Sequence, residues 1–144
     1  MIIFKAYKLR LYPNLIQSQK LTQICGATRF VYNYYLARRK ELYEKDKETM
    51  TGYDCTKDLT QLKKQEEYKW LADIPAEALQ KSILDLDVAF KNFFRDLKKG
   101  KKDSYPNFKS KHKSKPSFYD HMCFKLLDRH LQISLKYGLK MRFK

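Results

Sequence analysis

Gly26-Ala27-Thr28-Arg29-Phe30-Val31-Tyr32-Asn33-Tyr34-Tyr35-Leu36-Ala37-Arg38-Arg39 places four aromatic rings, two branched aliphatics and three arginines within about four helical turns. Such a helix has one side to bury and another to offer an anion. Residues 14–25, just before it, also read as helix. Asn14 with Gln17 three positions on makes a capping-box pattern, and Leu15, Leu21 and Ile24 supply a buried side. Gly26 then stands between two helical runs as a left-handed C-cap and Thr28 starts the second, which predicts a helix-turn-helix. In that second helix Phe30, Tyr34 and Ala37 share a stripe, with Val31, Tyr35 and Leu42 close by.

Upstream, residues 2–11 end in an alternation of Tyr7, Leu9 and Leu11 with Lys8 and Arg10, the period of a half-buried strand, which Tyr12-Pro13 closes. Downstream, residues 43–52 are charged and read as a frayed helix end and a loop. A third helix is predicted over 53–64, with Cys55, Leu59 and Leu62 at helical spacing. Trp70, Leu71 and Ile74 form an apolar knot before Pro75, where Asp73 is placed to cap the next helix. Leu79, Ile83, Leu86, Phe90, Phe93 and Leu97 then follow at steps of three and four, the strongest amphipathic signal in the chain, and Gly100 is placed to end it. A basic loop over 101–116 lacks any period and is expected to need a partner to order it. Leu131, Ile133 and Leu135, then Leu139, Met141 and Phe143, alternate with polar residues on either side of a Tyr137-Gly138 turn. Strand, helices and strands make an α+β plan in which the first strand pairs with the last ones.

The chain of 144 residues carries 31 Lys and Arg against 16 Asp and Glu, a net charge of +15. Residues 1–90 hold 15 basic and 12 acidic residues, whereas residues 91–144 hold 16 and 4, so the last third is the electrostatic footprint of a polyanionic partner. Tyr105, Phe108 and other aromatics interleave with that charge; bases stack on aromatic rings, and lipid headgroups have no need of them. Cys25, Cys55 and Cys123 are odd in number and far apart, which argues against a disulfide framework and for a reducing compartment. Lys5, Lys8 and Arg10 interrupt any signal-peptide core, and no apolar run is long enough to span a bilayer, so the expected location is cytoplasmic.

Chemistry-bearing patterns are sparse. Cys123 with His121 and His130 lacks the paired spacing of a zinc site, no nucleophile motif or glycine-rich phosphate loop is present, and Glu66, Glu67, Asp85 and Asp87 read as solvated helix faces. The sequence thus predicts no catalytic residue, no metal site and no cofactor. Basic residues carry the remaining signal: Lys98, Lys99, Lys101, Lys102, Lys109, Lys111, Lys113 and Lys115 as phosphate contacts, with Tyr105 and Phe108 as stacking platforms. Lys5, Lys8, Arg10, Arg29, Arg38 and Arg39 join them as candidate RNA or phosphate contacts. Gln80 and Lys81 lie beside the buried stripe of the long helix, and Gln is a bidentate reader of adenine.

Lys5-Ala6-Tyr7-Lys8-Leu9-Arg10-Leu11-Tyr12-Pro13-Asn14, Gly26-Ala27-Thr28-Arg29-Phe30-Val31-Tyr32-Asn33 and Phe90-Lys91-Asn92-Phe93-Phe94 come in an order and spacing that resembles the N-terminal half of the TnpB (OrfB) family of bacterial insertion sequences. The resemblance implies RNA-guided DNA endonucleases, with guide RNA and target double-stranded DNA as partners. It implies a wedge domain, an OB-like β-barrel built from the first strand (1–12) and the strands of 117–144, interrupted by a helical recognition domain (13–100) and the basic loop (101–116). The DNA-reading positions it implies are Gln80, with Lys81 beside it, and Tyr53; around Met122 to Phe124 the chain departs from the family's Thr/Asn-rich loop. The family's RuvC domain and zinc ribbon would follow Lys144, so these residues alone are not expected to cut DNA. Two other readings stay open, a stand-alone helix-turn-helix regulator that reads duplex DNA with Thr28 to Arg39, and a non-binding transposon remnant. Such a regulator is expected to act as a dimer on paired half-sites, and otherwise the oligomeric state is open.

Overall fold

The computed structural model describes residues 1–101, 104–120, 124–133 and 138–144. The chain is α+β: β1 (Leu11–Tyr12), α1 (Leu15–Asp46), α2 (Gly52–Leu62), a 3₁₀ segment (Glu66–Asp73), α3 (Ala76–Lys98), β2 (Lys125–Leu127), β3 (His130–Ile133) and β4 (Leu139–Phe143). It divides into two compact units, Met1–Leu21 with Asp120–Lys144, and Thr22–Tyr119.

The first unit is an antiparallel sheet of order β1-β4-β3-β2. Leu11 pairs with Phe143, Leu131 with Met141 and Ile133 with Leu139, so the expected union of the first strand with the last ones is made. Leu139 and Met141 are buried while Lys140 and Arg142 are exposed, as their period of two requires. The expectation for Leu135 and Tyr137 lies outside the described residues. Among the described residues the sheet is open, with β1 and β2 as its edges, and the OB-like barrel is not formed. The predicted strand over 2–11 also shrinks to its end. Arg10 exchanges two 3.2 Å backbone bonds with Lys144, and before it Tyr7 is 79% exposed. Alternation without a neighbouring strand to share ladder bonds does not hold a strand. Asn14 and Gln17 make the expected reciprocal cap at 2.9 Å each, and the Gln17 amide also donates to the Lys140 carbonyl at 2.7 Å. Leu15, expected to be buried, is exposed.

No turn forms at Gly26. α1 passes through it as one helix of 32 residues, and Thr28, expected to start a second helix, is buried mid-helix with its hydroxyl donating back to the Cys25 carbonyl. A lone glycine is a permissive residue, and Ile24 on one side and Ala27, Thr28 and Val31 on the other are buried, so packing carries the helix across it. The break comes at 47–51, where Lys47 takes φ 56° and Thr51 with Asp54 forms the capping box of α2.

In the second unit Ile24, Ala27, Val31, Tyr35 and Leu36 of α1 meet Cys55, Leu59 and Leu62 of α2, Leu71 of the 3₁₀ segment, and Leu79, Ile83, Leu86 and Phe90 of α3 in one core. Each fully buried Leu or Ile contributes about 1.5–3 kcal/mol. The buried side of α1 is therefore rotated from the predicted one: Ala37 is exposed, and Phe30 and Tyr34 form a half-exposed aromatic cluster with Tyr68 and Trp70. α3 follows Pro75 directly, without a side-chain cap from Asp73. It ends as predicted: Gly100, at φ 78°, donates to Leu97 and Lys101 donates to Asp96, a Schellman closure that needs the left-handed residue.

Asp87 of α3 ties the three helices. Its carboxylate accepts from the Gly52 N–H at the start of α2 at 3.1 Å, from Arg39 of α1 at 3.3 Å and from Lys91 at 3.2 Å. A Cβ on Gly52 would stand 3.1 Å from the Asp87 Cγ, so glycine permits this approach. Burial opposes the charge of Asp87, but the Lys91 hydrogen bond and the Arg39 guanidinium outweigh it and hold the carboxyl below its ordinary range.

Two outcomes follow from these contacts. Gly26→Ala should stabilise the protein by about 0.5–1 kcal/mol, because the added methyl meets nothing within 4 Å and the helix gains a better former; a loss of similar size in urea unfolding would show a left-handed Gly26 instead. Asp87→Ala should lower stability by about 2–3 kcal/mol at pH 7. The depressed pKa makes that contribution complete above the unfolded carboxylate range near pH 4 and lost as pH falls through the folded value, so the gap between the two proteins should close in acid. An undiminished gap at pH 2 contradicts the assignment.

Candidate nucleic-acid interface

Residues 104–119 are not left waiting for a partner, contrary to the expectation for the basic loop; they dock along α1. Asn33 donates its amide to the Lys109 carbonyl at 2.9 Å and accepts the Lys109 N–H at 2.8 Å, so one side chain imitates a neighbouring strand. The Lys109 ammonium lies 4.1 Å from the centre of the Tyr32 ring. Thr28 adds a longer contact to the Ser117 carbonyl at 3.4 Å, and the Ser82 hydroxyl of α3 donates to the Thr28 carbonyl at 2.5 Å. The loop is thereby held on α1 beside the first turns of α3.

That docking converges cations that lie far apart in sequence. Arg29, Lys109 and Lys115, with Thr28, Ser114 and Ser117, line a small polar notch that no carboxylate enters. Beside it a cleft of about 270 Å³ shares Thr28, Lys109 and Ser117 and is closed by Lys81, Asp85 and Tyr119. Lys81 is ion-paired with Asp85 and lies 5.6 Å from the Tyr119 ring centre. Together they form a cationic groove with hydroxyl donors, a surface suited to consecutive phosphate oxygens.

Other candidate residues are distributed as follows. Lys5, Lys8 and Arg10 are exposed in the first unit, and Lys98, Lys99, Lys101, Lys111 and Lys113 are exposed in the second. Lys102, together with His121, Met122 and Cys123, lies outside the described residues. Arg38 and Arg39 belong to the fold. Arg38 bridges to Asp58 at 3.1 Å, and that carboxylate also accepts from the buried Tyr35 hydroxyl at 2.9 Å. Arg39 lies on Asp87 with its guanidinium 4.1 Å from the Phe90 ring centre and its side chain 13% exposed. Tyr105 packs edge-on against Phe90 and Phe93, whereas Phe108 is 60% exposed. Gln80 is exposed on α3, and Tyr53 is exposed on the first turn of α2 with Lys57 over its ring. Asp87, seven residues or about 10 Å of helix after Gln80, accepts from Gly52, the neighbour of Tyr53. Burial pushes the Cys55 thiol up to about 11, so it is a small hydrophobe of the core.

Asn33, Thr28, Ser82 and Asp87 organise this surface; sequence reasoning gave Asn33 and Ser82 no role of their own, took Thr28 for a helix start and read Asp87 as a solvated helix face, whereas its carboxylate is 20% exposed and held by Arg39, Gly52 and Lys91. The one available signal was Asn33, a poor helix former in the middle of an aromatic helix. Thr28 to Arg39 is not presented as a recognition helix: one side is core, Asn33 and Tyr32 hold the loop, and Arg39 faces Asp87. No helix among the described residues is long and apolar enough to cross a membrane.

Comparison with known proteins places this arrangement. A helix-turn-helix domain family of the OrfB proteins of IS605-type elements matches residues 1–48. InsQ of Escherichia coli (strain K12) and a protein of Streptomyces pristinaespiralis both bear the name "Putative RNA-guided DNA endonuclease". The first is 36% identical over 107 residues, 74% of this chain and 25% of its own length; the second is 33% identical over 113 residues, 78% and 27%. The chain thus spans about a quarter of the length of these two relatives. Virulence protein VsdF of Salmonella dublin is 32% identical over 117 residues, 76% of this chain and 96% of its own length. By these matches, of which the family model covers the stretch that holds β1 and α1 and the relatives about three quarters of the chain, the chain belongs to the TnpB/OrfB family of insertion-sequence proteins.

Proposed function

We propose that this chain is a nucleic-acid-binding portion of an RNA-guided DNA endonuclease of the kind its relatives' names describe, holding guide RNA and contacting the DNA beside the target. The observation that carries this reading is the notch of Arg29, Lys109 and Lys115, lined by no carboxylate, on a chain of net charge +15; Asp85 of the adjoining cleft is paired with Lys81. Lys111 and Lys113 are exposed on the same loop, and Lys98, Lys99 and Lys101 add exposed charge past α3. Phosphates held there give affinity and register without reading sequence. Base reading falls to Gln80 and Tyr53, both exposed, with Lys81 beside Gln80 at the groove. The residues assigned a role here bind; none is assigned to bond cleavage.

A stand-alone duplex-binding regulator is the weaker reading, because core and loop take up much of the helix it would insert into a groove. A fluorescence anisotropy titration of the protein with guide-type RNA over rising salt tests the proposal. Binding should weaken linearly in log salt, and joint replacement of Lys109, Lys111, Lys113 and Lys115 by Gln should lower the slope by about 3. Equal affinity for any acidic polymer, or an unchanged slope, would sink it. Asn33→Ala should release residues 105–117 from α1, speeding amide exchange at Lys109 at least about tenfold through loss of a bond worth about 1–2 kcal/mol. Unaltered exchange there would mean that the loop holds its place without Asn33.

A further inference from the structure

At the opposite end of the helical unit from Gln80, the last turns of α1 and α3 enclose a groove of about 410 Å³, within the size range of small-molecule sites. Its wall is aromatic: Phe90, Phe93 and Phe94 of α3, Tyr43 of α1, and Tyr105 from the docked loop. Tyr105 meets Phe90 and Phe93 at ring distances of 5.8 and 5.2 Å, nearly perpendicular to both, so three rings form a corner. Tyr43 and Phe94 remain 56% and 51% exposed. Exposed rings gathered on one concave surface mark a binding site more often than a fold requirement.

The rim indicates what enters. Lys40 and Lys47 stand on it, and Lys98, Lys99 and Lys101 follow directly where α3 ends. Lys47 is a non-glycine residue in the left-handed region, and its ammonium lies 5.1 Å from the Tyr43 ring centre. An apolar peptide has no use for flanking ammonium groups. A nucleotide does, because its base lies on the rings while its phosphates reach the lysines. Glu44, 3.9 Å from the Lys40 ammonium, and Glu48 also line the groove; they repel a phosphate but are suited to accept from an exocyclic amino group. We infer that this groove captures an unpaired RNA nucleobase bearing an exocyclic amino group, stacked against Phe94 and Tyr105, with its flanking phosphates on Lys40 and Lys47. This rests on the nucleic-acid-binding reading above, while the residues and the chemistry are separate from those of the phosphate groove.

The test uses the full chain and single-stranded RNA oligonucleotides of mixed sequence carrying one 2-aminopurine. Stacking in the groove quenches the 2-aminopurine fluorescence on binding. Phe94→Ala should abolish the quench and weaken binding about tenfold while leaving the salt slope unchanged, because a ring and no phosphate contact is lost. Lys47→Gly should lower both affinity and slope, the slope by about 0.7, without lowering the thermal midpoint, because glycine suits that backbone. RNA bound with its normal salt slope but without quenching overturns the groove assignment and leaves the binding reading standing. A quench that survives Phe94→Ala at unchanged affinity also overturns it. No RNA binding at all removes both.

Discussion

The carboxylate of Asp87 is the constraint on which the helical unit depends. Three helices of unlike apolar pattern do not choose a unique arrangement by burial alone, because hydrophobic attraction has no direction. Asp87 supplies direction: it accepts from the first turn of α2, pairs with Arg39 across from α1 and sits on α3 itself. Leaving any of these groups buried without the others would carry a desolvation penalty larger than the net gain of the pair, so the set forms together. With that register in place, Phe90 lies under Arg39 and Tyr105 closes over Phe90. The aromatic groove is a consequence of the same contact.

A second constraint acts on the loop. Lysine-rich segments repel themselves and bury little, and composition alone predicts them to be unordered. Here Asn33 meets both hydrogen-bonding groups of Lys109, which is the contact a strand neighbour would make, and the Tyr32 ring receives the ammonium. Two local interactions thus fix a chain segment that has no periodicity of its own. The functional result is electrostatic: Arg29 and Lys115, separated by most of the helical unit in sequence, line one notch without a neutralising acid. A preordered cationic surface loses less conformational freedom on binding than a mobile tail does.

Arginines of one short stretch serve different ends. Arg29 lines the notch, Arg38 holds Asp58 and Arg39 holds Asp87. Residue type did not separate them, since all three look alike on a helix that is apolar on one side. What separates them is the chance position of a carboxylate on a neighbouring helix, 20 to 48 residues away along the chain. The same holds for Tyr105, which looks like a free stacking platform in sequence and is partly spent on Phe90 and Phe93.

By itself the sequence determined what local chemistry and period dictate. The stripe from Leu79 to Phe90, the Asn14–Gln17 cap, the glycine closure of α3, the alternation of β4 and the displacement of charge into the last third all follow from near neighbours or simple counting. The quoted motifs likewise led to the family that the matches show. Only tertiary structure decided whether Gly26 turns, because a glycine permits a left-handed cap and a continuous helix alike, and burial of residues on both sides selected the helix. It also decided that the described strands form an open sheet, that the loop lies on α1, and which arginines remain for a ligand. Those outcomes depend on contacts between residues distant in sequence, and no spacing along the chain encodes which of them will meet.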